Sequence, residues 1–357
     1  MHLTLSSGGN YSDVRRKYEK HDKRQEAAAA SGSRPAYILY HGQGKVQAVN
    51  GVLFVLEEDK TLGIVGESGS GKSVTAYSIM QILEQNGHIT RGQILFRGQD
   101  ITKYTQKQMQ IFRGQKCAMI FQDPMTALNP VYTVGNQIME AIRIHSDASK
   151  EEAYKKALEM LELVGINDAA RRIKQYPHEL SGGMRQRVMI AMALASDPWI
   201  LIADEPTTAL DVTIQAQILE LMQDLQTKLN MAIIIVTHDL GVIAQLADEI
   251  VVMYGGRICE RGTADDIFYR PCHEYTKGLL RSIPSAQNLK EKLVPISGTP
   301  INLLNMPEGC AFCARCDSAM KICLTEVPPE LKVADGHRAS CWVNVKNHNY
   351  MEGSDNE

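Results

Sequence analysis

The chain has 357 residues, a length that allows one large domain and a smaller one. Of these residues 44% are hydrophobic and 22% are charged, which is typical of a folded protein. Its formal net charge of −3 gives no reason to expect non-specific binding to nucleic acid. No apolar run approaches the ~20 residues of a membrane-spanning helix, and the N-terminus lacks the apolar core of a signal peptide, so we expect a cytosolic chain.

The first 35 residues form a polar segment in which basic side chains between Arg15 and Arg24 are largely offset by acidic ones. This composition predicts a mobile, solvated extension, although a frayed helix or a basic arm on lipid head groups is also compatible with it. Short β-type runs follow at 37–56 and at Gln93–Phe96. They predict a small antiparallel sheet.

A glycine-rich turn, Gly66–Ser73 with the sequence GESGSGKS, fits the pattern G-x-x-x-x-G-K-[ST]. It follows an apolar run with strand character at 62–65 and precedes apolar residues at helical spacing, so it joins a strand to a helix N-terminus. In that context the glycines bring backbone N–H groups against phosphate oxygens, and the helix dipole adds positive potential. Lys72 is expected to reach the β- and γ-phosphates of a nucleotide, and the Ser73 hydroxyl to bind Mg²⁺.

Two further apolar runs end in polar side chains that suit a nucleotide site. Residues 118–121 run into Gln122, whose carbonyl oxygen can bind Mg²⁺, and residues 232–236 lead to His238, which can hydrogen-bond a γ-phosphate. A turn-capping glutamine and an ordinary structural histidine are the alternatives. Ligands of open α/β sheets bind beyond the carboxyl ends of the strands. Taken alone, the glutamine is more typical of a turn cap, whereas His238 follows the third apolar strand that ends in a polar residue, which favours a functional role.

Another apolar run at 199–203 continues directly into Asp204 and Glu205. Adjacent carboxylates at the end of a buried strand carry a desolvation cost, which favours a catalytic or metal-binding role over a solvated turn. Asp204 suits the Mg²⁺ shell, and Glu205 suits deprotonation of an attacking water. The alternation of buried strands with helices predicts a parallel sheet of the nucleotide-hydrolase kind.

Ser181 precedes two glycines, Gly182 and Gly183, and a long helix rich in Ala and Met. It is a good N-cap, and the glycines leave the helix start bare, so this end is a second place where an anion could bind. Taken alone, the pattern is that of an ordinary capped helix. Apolar stripes between 133 and 180, such as the one from Ala153 to Val164, indicate core packing.

Five of the eight cysteines lie near the C-terminus: Cys310, Cys313, Cys316, Cys323 and Cys341. Disulfides are unexpected in a cytosolic chain, and the clustering favours metal ligation over free structural thiols. Zinc is often bound by paired C-x₂-C units, and the distant thiols do not form a second unit. An iron–sulfur cluster tolerates uneven spacing, which mildly favours it over zinc.

In combination, these stretches resemble the ATP-binding cassette of ABC transporters, over nearly all of residues 36–345. The motifs occur in the family's order: the Walker A loop Gly66–Ser73, the Q-loop Phe121-Gln122-Asp123, the signature Leu180-Ser181-Gly182-Gly183, the Walker B carboxylates Asp204 and Glu205, the D-loop Ala209-Leu210-Asp211 and the switch histidine His238. The resemblance implies an α/β fold: a P-loop NTPase core with a parallel sheet, a small antiparallel β-subdomain, a helical subdomain near 125–195 and a small cysteine-rich C-terminal region.

The resemblance also implies an ATPase and assigns residues to its site. The expected catalytic residues are Glu205, His238 and Gln122. The residues expected to hold ATP and Mg²⁺ are Tyr40, Ser68, Gly69, Ser70, Gly71, Lys72, Ser73, Val74, Gln122 and Asp204. Those expected to meet the ATP of a second cassette are Ser181, Gly182, Gly183, Gln186 and Asp211. For Tyr40, stacking on adenine and plain packing in the core or at a sheet edge are equally open.

Two cassettes, identical or homologous, are expected to meet head to tail, with each ATP between the Walker A loop of one and the signature of the other. The γ-phosphate carries more negative charge than one loop neutralises, and the bare helix end at Ser181 supplies further donors. Hydrolysis removes this bridge and opens the pair. Gln122 and the loop after it are expected to pass the motion to two transmembrane permease subunits.

Within the superfamily the chain resembles the oligopeptide and dipeptide permease ATPases, through stretches such as GESGSGKSVT at 66–75, HELSGGMRQR at 178–187 and the tail from Tyr275 to Pro300. Members of that group can hold a [4Fe–4S] cluster on four C-terminal cysteines, and zinc is the second choice. The matching cysteines are Cys310, Cys316, Cys323 and Cys341. Cys313 is an additional thiol in this loop and leaves open which three of the first four thiols bind.

The expected division is an extension at 1–35, a nucleotide-binding domain at 36–265, a C-terminal region with the metal cluster at 266–345 and a tail at 346–357. The expected function is ATP-driven peptide import at the cytoplasmic face of the membrane, with an extracytoplasmic substrate-binding protein as an indirect partner and no nucleic acid. Alternatives are another cargo such as nickel, a soluble ABC ATPase acting on nucleic acid or ribosomes, and a non-hydrolysing redox module. The single cassette and the net charge disfavour the second alternative, and the intact Glu205 and His238 disfavour the third.

Overall fold

The computed structural model describes residues 3–6, 36–41, 44–208, 210–283 and 295–345. The strands are β1 Leu3–Ser6, β2 Ala36–His41, β3 Gly44–Asn50, β4 Val55–Leu56, β5 Thr61–Val65, β6 Gly87–Arg91, β7 Gln93–Phe96, β8 Gln99–Asp100, β9 Cys117–Ile120, β10 Ile200–Asp204, β11 Ala232–Thr237, β12 Glu249–Tyr254, β13 Arg257–Thr263, β14 Leu331–Ala334 and β15 His337–Ala339. The α-helices are α1 Lys72–Met80, α2 Gln106–Gln115, α3 Pro124–Ala127, α4 Val134–His145, α5 Lys150–Leu163, α6 Ala169–Arg172, α7 Gly182–Leu194, α8 Val212–Leu229, α9 Leu240–Leu246, α10 Ala264–Tyr269, α11 Glu274–Arg281 and α12 Ile322–Thr325. Short 3₁₀ helices occur at Ile101–Lys103, Pro177–Glu179 and Cys313–Arg315.

The chain forms two compact units. The first takes its residues from Met1–Val55, Leu62–Thr102 and His238–Glu357, and the second from Leu56–Thr61 and Lys103–Thr237. The C-terminal region therefore belongs to the same unit as the glycine-rich turn. The division of the chain at 35, 265 and 345 stays a prediction.

In the first unit, one sheet runs in the order β14-β15-β13-β12-β5. Strands β5 and β12 are parallel, from Leu62 opposite Glu249 to Val65 opposite Val252, and the remaining pairs are antiparallel. All residues of β5 are buried, which explains its continuous apolar run, because a strand covered on both faces needs no polar side. The glycine-rich turn begins at the carboxyl end of β5.

Two smaller antiparallel arrangements belong to the same unit. Strands β3, β2 and β6 form one sheet, and β7 pairs with β1 and β8 in the other. The predicted antiparallel sheet is confirmed, but Gln93–Phe96 pairs with β1 and β8 and not with the β2–β3 hairpin. Leu3–Ser6, predicted as part of a mobile extension, is a strand here, and its alternation of Leu with Thr and Ser suits that role. The stretch around Arg15–Arg24 lies outside the described residues.

In the second unit, the parallel strands β11, β10 and β9 are neighbours in that order. Ile200 lies opposite both Ala232 and Cys117 in the register of these strands. Every residue of the three strands is buried. The predicted run at 118–121 is shortened at its end, because Phe121 is exposed and follows the last strand residue, Ile120.

Helices α4, α5 and α7 pack against one another in the second unit. Helix α5 begins with a reciprocal capping box between Ser149 and Glu152, and its stripe of Ala153, Ala157 and Leu161 is fully buried. This confirms that the stripe is core. Within the described part of the chain, no helix is both long enough and apolar enough to span a membrane.

Candidate functional site

The glycine-rich turn lies between β5 and α1 and is fixed by close backbone contacts. A Cβ atom on Gly66 would lie 2.2 Å from the Met253 carbonyl oxygen, and one on Gly71 would lie 2.3 Å from that of Ala48. Gly71 also has a φ of 100°, in the left-handed region that favours glycine. Two of the predicted glycines are therefore required by the space around them.

Lys72, the first residue of α1, folds back over the turn. Its ammonium donates hydrogen bonds to the carbonyl oxygens of Gly66 at 2.7 Å and Glu67 at 2.9 Å. No side chain caps the start of α1, because Gly71 stands at the N-cap position, and an uncapped helix N-terminus attracts anions. The buried Ser70 hydroxyl has no hydrogen-bond partner among the described residues. A cation, a helix end and a spare hydroxyl on one turn suit a phosphate group.

The predicted carboxylate pair lies at the carboxyl end of β10, in the second unit. Asp204 is the last strand residue and is buried, and Glu205 follows with a φ of 49°. The Glu205 amide donates to the carbonyl oxygen of Val236 at 2.7 Å. This contact supports a backbone conformation that costs a non-glycine residue about 1–2 kcal/mol.

The structure brings Gln122 and Glu205 together. The Gln122 side-chain amide and the Thr208 hydroxyl each donate to Oε2 of Glu205 at 2.9 Å. Both donors bind the same carboxylate oxygen, so Gln122 and Thr208 fix the position of the Glu205 side chain. Sequence reasoning missed Thr208, although a hydroxyl three residues after an acidic side chain is a recurrent local partner.

Helices α7 and α8 each start with a capping side chain, of which Ser181 was predicted as a cap and Asp211 was not. Ser181 accepts from the Met184 amide at 3.4 Å, and Asp211 accepts from the Ile214 amide at 2.9 Å. A Cβ on Gly183 would lie 2.8 Å from Ile214 Cγ2, so glycine is needed for this approach.

Gln186 has a different environment from the one expected of an ATP contact. Its side chain is buried, and its Nε2 donates to the Pro206 carbonyl oxygen at 2.6 Å. The amide thus ties α7 to the turn that follows Glu205. A contact between Gln186 and nucleotide stays a prediction.

The remaining predicted residues occupy the expected elements. His238 follows β11 and is exposed, and the next residue, Asp239, caps α9. Val74 lies in the first turn of α1, and Tyr40 lies in β2, opposite Lys45. Their contacts with nucleotide stay predictions.

Sequence reasoning missed two residues of the C-terminal region that contact the glycine-rich turn. The Tyr275 hydroxyl accepts a hydrogen bond from the Glu67 amide at 2.8 Å. The Arg315 guanidinium donates to both carboxylate oxygens of Glu67, at 2.6 Å and 3.0 Å. No sequence motif signals these contacts, since they join residues more than two hundred positions apart.

The C-terminal thiols influence one another. Burial, together with smaller contributions from negative charge on Cys323, Cys341 and Cys316, raises the pKa of Cys310 to about 12, so these four thiols are electrostatic neighbours. Cys313 is more exposed, and its pKa is raised by burial and by Cys323. Sequence reasoning missed Cys259, a buried β13 residue.

The Cys259 thiol is also an electrostatic neighbour of the C-terminal thiols. Burial raises its pKa well above the usual value, and charge on Cys310 and Cys341 raises it further. A thiolate at this place would therefore meet negative neighbours. We assign Cys259 no ligand role.

A second group of polar side chains, Glu260, Cys272 and His337, brings its ligand atoms within 4.8 Å of one another. Glu260 is buried, and its carboxylate already accepts from the amides of Cys272 at 2.7 Å and His273 at 2.9 Å and bonds His337 Nε2 at 2.8 Å. These bonds satisfy the carboxylate without a metal ion. They fix the chain just before α11, where Nδ1 of His273 caps the helix.

Comparison with known proteins places the chain in a family. Residues 49–208 match the ABC transporter family, and residues 259–323 match the oligopeptide/dipeptide transporter C-terminal region. The dimeric structure of MJ0796, a bacterial ABC transporter cassette, superposes with a TM-score of 0.58 at 27% identity, covering 65% of this chain and 97% of the cassette. The chain belongs to the ABC transporter family of ATPases, and its predicted P-loop fold is confirmed.

The similarity is closer to one group of that family. The oligopeptide transport ATP-binding protein OppD of Bacillus subtilis is 56% identical over 302 residues, which cover 84% of each chain. The dipeptide transport ATP-binding protein DppD of the same organism is 54% identical over 301 residues, 84% of this chain and 90% of DppD. OppD of Salmonella typhimurium is 49% identical over 303 residues, which cover 85% of this chain and 90% of that protein. Within the family, the chain is therefore a member of the OppD and DppD group.

Proposed function

We propose that the chain is the ATP-hydrolysing subunit that powers import of dipeptides or oligopeptides through a membrane permease. The observation that carries the proposal is the match of residues 259–323 to the C-terminal region of oligopeptide/dipeptide transporters. The sequence identities of 56% to OppD and 54% to DppD of Bacillus subtilis support it. Its partners are two transmembrane permease subunits and, indirectly, an extracytoplasmic substrate-binding protein. It lies peripherally on the cytoplasmic face and binds no nucleic acid.

The phosphates of ATP are bound by the glycine-rich turn. The backbone amides of the turn, including those of Ser68 and Ser70, surround the phosphate oxygens. Lys72 neutralises negative charge on the β- and γ-phosphates. The uncapped start of α1 and the spare Ser70 hydroxyl support this role. Ser73, Asp204 and the Gln122 carbonyl each offer an oxygen ligand of the kind that Mg²⁺ prefers, and a bound ion would neutralise phosphate charge during hydrolysis.

Glu205 is the general base for the attacking water, and His238 positions the γ-phosphate. Two donors on Oε2 of Glu205, from Gln122 and Thr208, support this role because they fix the position of the carboxylate. Movement of Gln122 away from the carboxylate would remove one of these two contacts. Gln122 thereby couples the chemistry to the permease subunits.

Two cassettes work as a pair, each supplying its α7 end to the ATP of the other. The dimeric form of the MJ0796 cassette supports this arrangement. Ser181, Gly182 and Gly183 would supply the donors, because Ser181 caps α7 and the glycines add no side chain over the helix end. Whether the second cassette is a copy or a homologue is decided by the subunits that co-purify.

The four thiols of Cys310, Cys316, Cys323 and Cys341 are suited to hold a [4Fe–4S] cluster. Zinc would need four thiolates about 3.8 Å apart, as follows from tetrahedral bonds of about 2.3 Å. Zinc is often held by paired C-x₂-C units, whereas an iron–sulfur cluster tolerates the uneven sequence spacing of these cysteines, which supports iron over zinc.

The catalytic proposal is tested with Glu205→Gln in the complex with its permease subunits in vesicles. We expect ATP to bind and the dimer to persist while turnover falls about 10²–10⁴-fold, the usual contribution of a general base. Glu220→Gln, which changes an exposed carboxylate on α8, is the matched control. Turnover near that of the control would exclude Glu205 as the base.

Cargo and partners are tested by co-purification and uptake. We expect transmembrane subunits to co-purify, and labelled dipeptides or oligopeptides to enter vesicles in the presence of ATP and the binding protein. Uptake of nickel without uptake of peptides would assign another cargo. Co-purification of ribosomal RNA would support the soluble alternative.

A further inference from the structure

Glu67, the second residue of the glycine-rich turn, is held at three of its groups. Its carbonyl oxygen accepts from Lys72 within the turn. Its amide donates to the hydroxyl of Tyr275, and its carboxylate pairs with Arg315. Two of the three contacts thus come from the C-terminal region, which carries no nucleotide-binding motif.

Arg315 is locked in one position by its hydrogen bonds. Besides Glu67, the guanidinium donates to the carbonyl oxygens of Ser297 at 2.8 Å and Ile296 at 3.3 Å and to the Tyr254 hydroxyl at 3.3 Å. Its side chain is only 5% exposed. Hydrogen bonding to Glu67 is the main cause that raises the pKa of Arg315 above its usual value. A buried, bidentate pair of this kind is stronger and more specific in direction than a surface ion pair.

Aromatic rings pack around this pair. The rings of Tyr254, Tyr275 and Phe312 lie 4.7–5.3 Å apart between centroids, at tilted or edge-on angles. Arg315 ends the 3₁₀ helix that starts at Cys313, and Cys316 follows it directly. The three aromatic rings and the loop at 313–316, here called the thiol loop, therefore fix the orientation of the Arg315 guanidinium.

The charge of Glu67 gives the pair a function. A carboxylate in a turn that binds phosphates repels the ligand, because like charges in a partly buried site interact over several ångströms. Pairing with Arg315 neutralises this carboxylate and turns it toward the C-terminal region. The amide bond to Tyr275 holds the backbone at the same residue.

We propose that Arg315 is a positioning residue for ATP binding, which neutralises and orients Glu67 from the C-terminal region while Tyr275 fixes the backbone of that residue. The inference rests on the proposal that the glycine-rich turn binds the phosphates. The thiol loop is then part of the apparatus that sets ATP affinity.

The experiment compares MgATP dissociation constants of the full chain and its variants, with thermal unfolding as a check on folding. We expect Arg315→Met to weaken binding about tenfold, the effect of one uncompensated charge near the phosphates, with kcat at saturation little changed. Adding Glu67→Gln to that variant removes the repelling charge and should restore the affinity to within about threefold. Arg315→Lys keeps the charge but loses the bidentate geometry and should fall between wild type and Arg315→Met. Arg281→Met, which removes a half-exposed arginine of the same region, is the matched control.

Three outcomes would overturn the inference. The first is a folded Arg315→Met variant that binds MgATP as tightly as the Arg281→Met control. The second is a double variant as weak as Arg315→Met, which would assign the effect to lost packing. If Arg315→Met does not fold, the third is weak binding by both Arg315→Lys and the double variant. Lys72→Ala separates the two proposals, because undiminished MgATP binding by that variant would refute the role of the turn itself.

Discussion

The three glycines of the glycine-rich turn, Gly66, Gly69 and Gly71, are constrained in different ways, and this difference gives a graded prediction. A Cβ on Gly66 would lie 2.2 Å from the Met253 carbonyl oxygen, whereas one on Gly69 meets nothing within 4 Å among the described residues. Gly69 has a φ of 77°, which an alanine adopts only with strain, and Gly71 combines a φ of 100° with a contact of 2.3 Å. The space around it therefore constrains Gly66, the backbone torsion constrains Gly69, and both constrain Gly71.

The magnitudes follow from these geometries. Gly69→Ala should lower the free energy of unfolding by about 1–2 kcal/mol, the cost of a left-handed L-residue. Gly66→Ala should lower it by about 3 kcal/mol, at the upper end of overpacking costs, because the clashing atom belongs to the backbone of β12 and cannot rotate away. Gly71→Ala should cost about the sum, roughly 4–5 kcal/mol.

The assay is urea unfolding of the three variants, with the MgATP dissociation constant measured in parallel. Gly66→Ala should also weaken ATP binding more than Gly69→Ala does, because the displaced Gly66 carbonyl is a partner of Lys72. The reasoning would be refuted if Gly69→Ala destabilised the protein as much as Gly66→Ala. Equal costs would mean that the contact at Gly66 costs no more than the strained torsion at Gly69.

Three further predictions concern other parts of the molecule. Burial lowers the pKa of His273 from 6.5 to about 4, so the unfolded chain takes up a proton that the folded chain refuses, and about 2 kcal/mol of stability should be lost between about pH 7 and about pH 5. His273→Asn keeps a cap acceptor without this titration and should flatten the pH dependence of unfolding; an unchanged slope would contradict the assignment. Anaerobically purified protein should absorb in the visible range of iron–sulfur clusters, Cys316→Ser should lose the iron and Cys313→Ser should retain it, whereas colourless wild type with one zinc per chain would reverse the choice of metal. Gln122→Ala should hydrolyse ATP with reduced coupling to peptide uptake, and fully coupled transport in that variant would exclude the proposed role.

Local patterns in the sequence predict the parts of the site that are themselves local. The glycine-rich turn, the cap at Ser181 and the carboxylates at the end of β10 each depend on neighbours within a few residues. Continuous apolar runs predict β9, β10 and β11 because these strands are buried on both faces. The same rule misplaced the end of β9 by one residue, since an aromatic residue such as Phe121 looks buried in a pattern but lies at the surface.

Contacts between distant positions were beyond the reach of these patterns. Glu67 pairs with Arg315 across 248 positions, and neither residue has a periodic or spaced signature. The pairing of β1 with β7 and the place of Cys259 near the C-terminal thiols have the same origin. Hydrophobic periodicity specifies which face of an element is buried, but it contains no information about which partner covers it.

The contacts of Glu67 also limit how the molecule can be shortened. A truncated chain that ended after β13 would retain every nucleotide-binding motif and still lose both Tyr275 and Arg315. Its glycine-rich turn would then carry an unpaired carboxylate and an amide that must find water. Nucleotide affinities measured on such a shortened chain would describe a differently charged turn from that of the 357-residue chain.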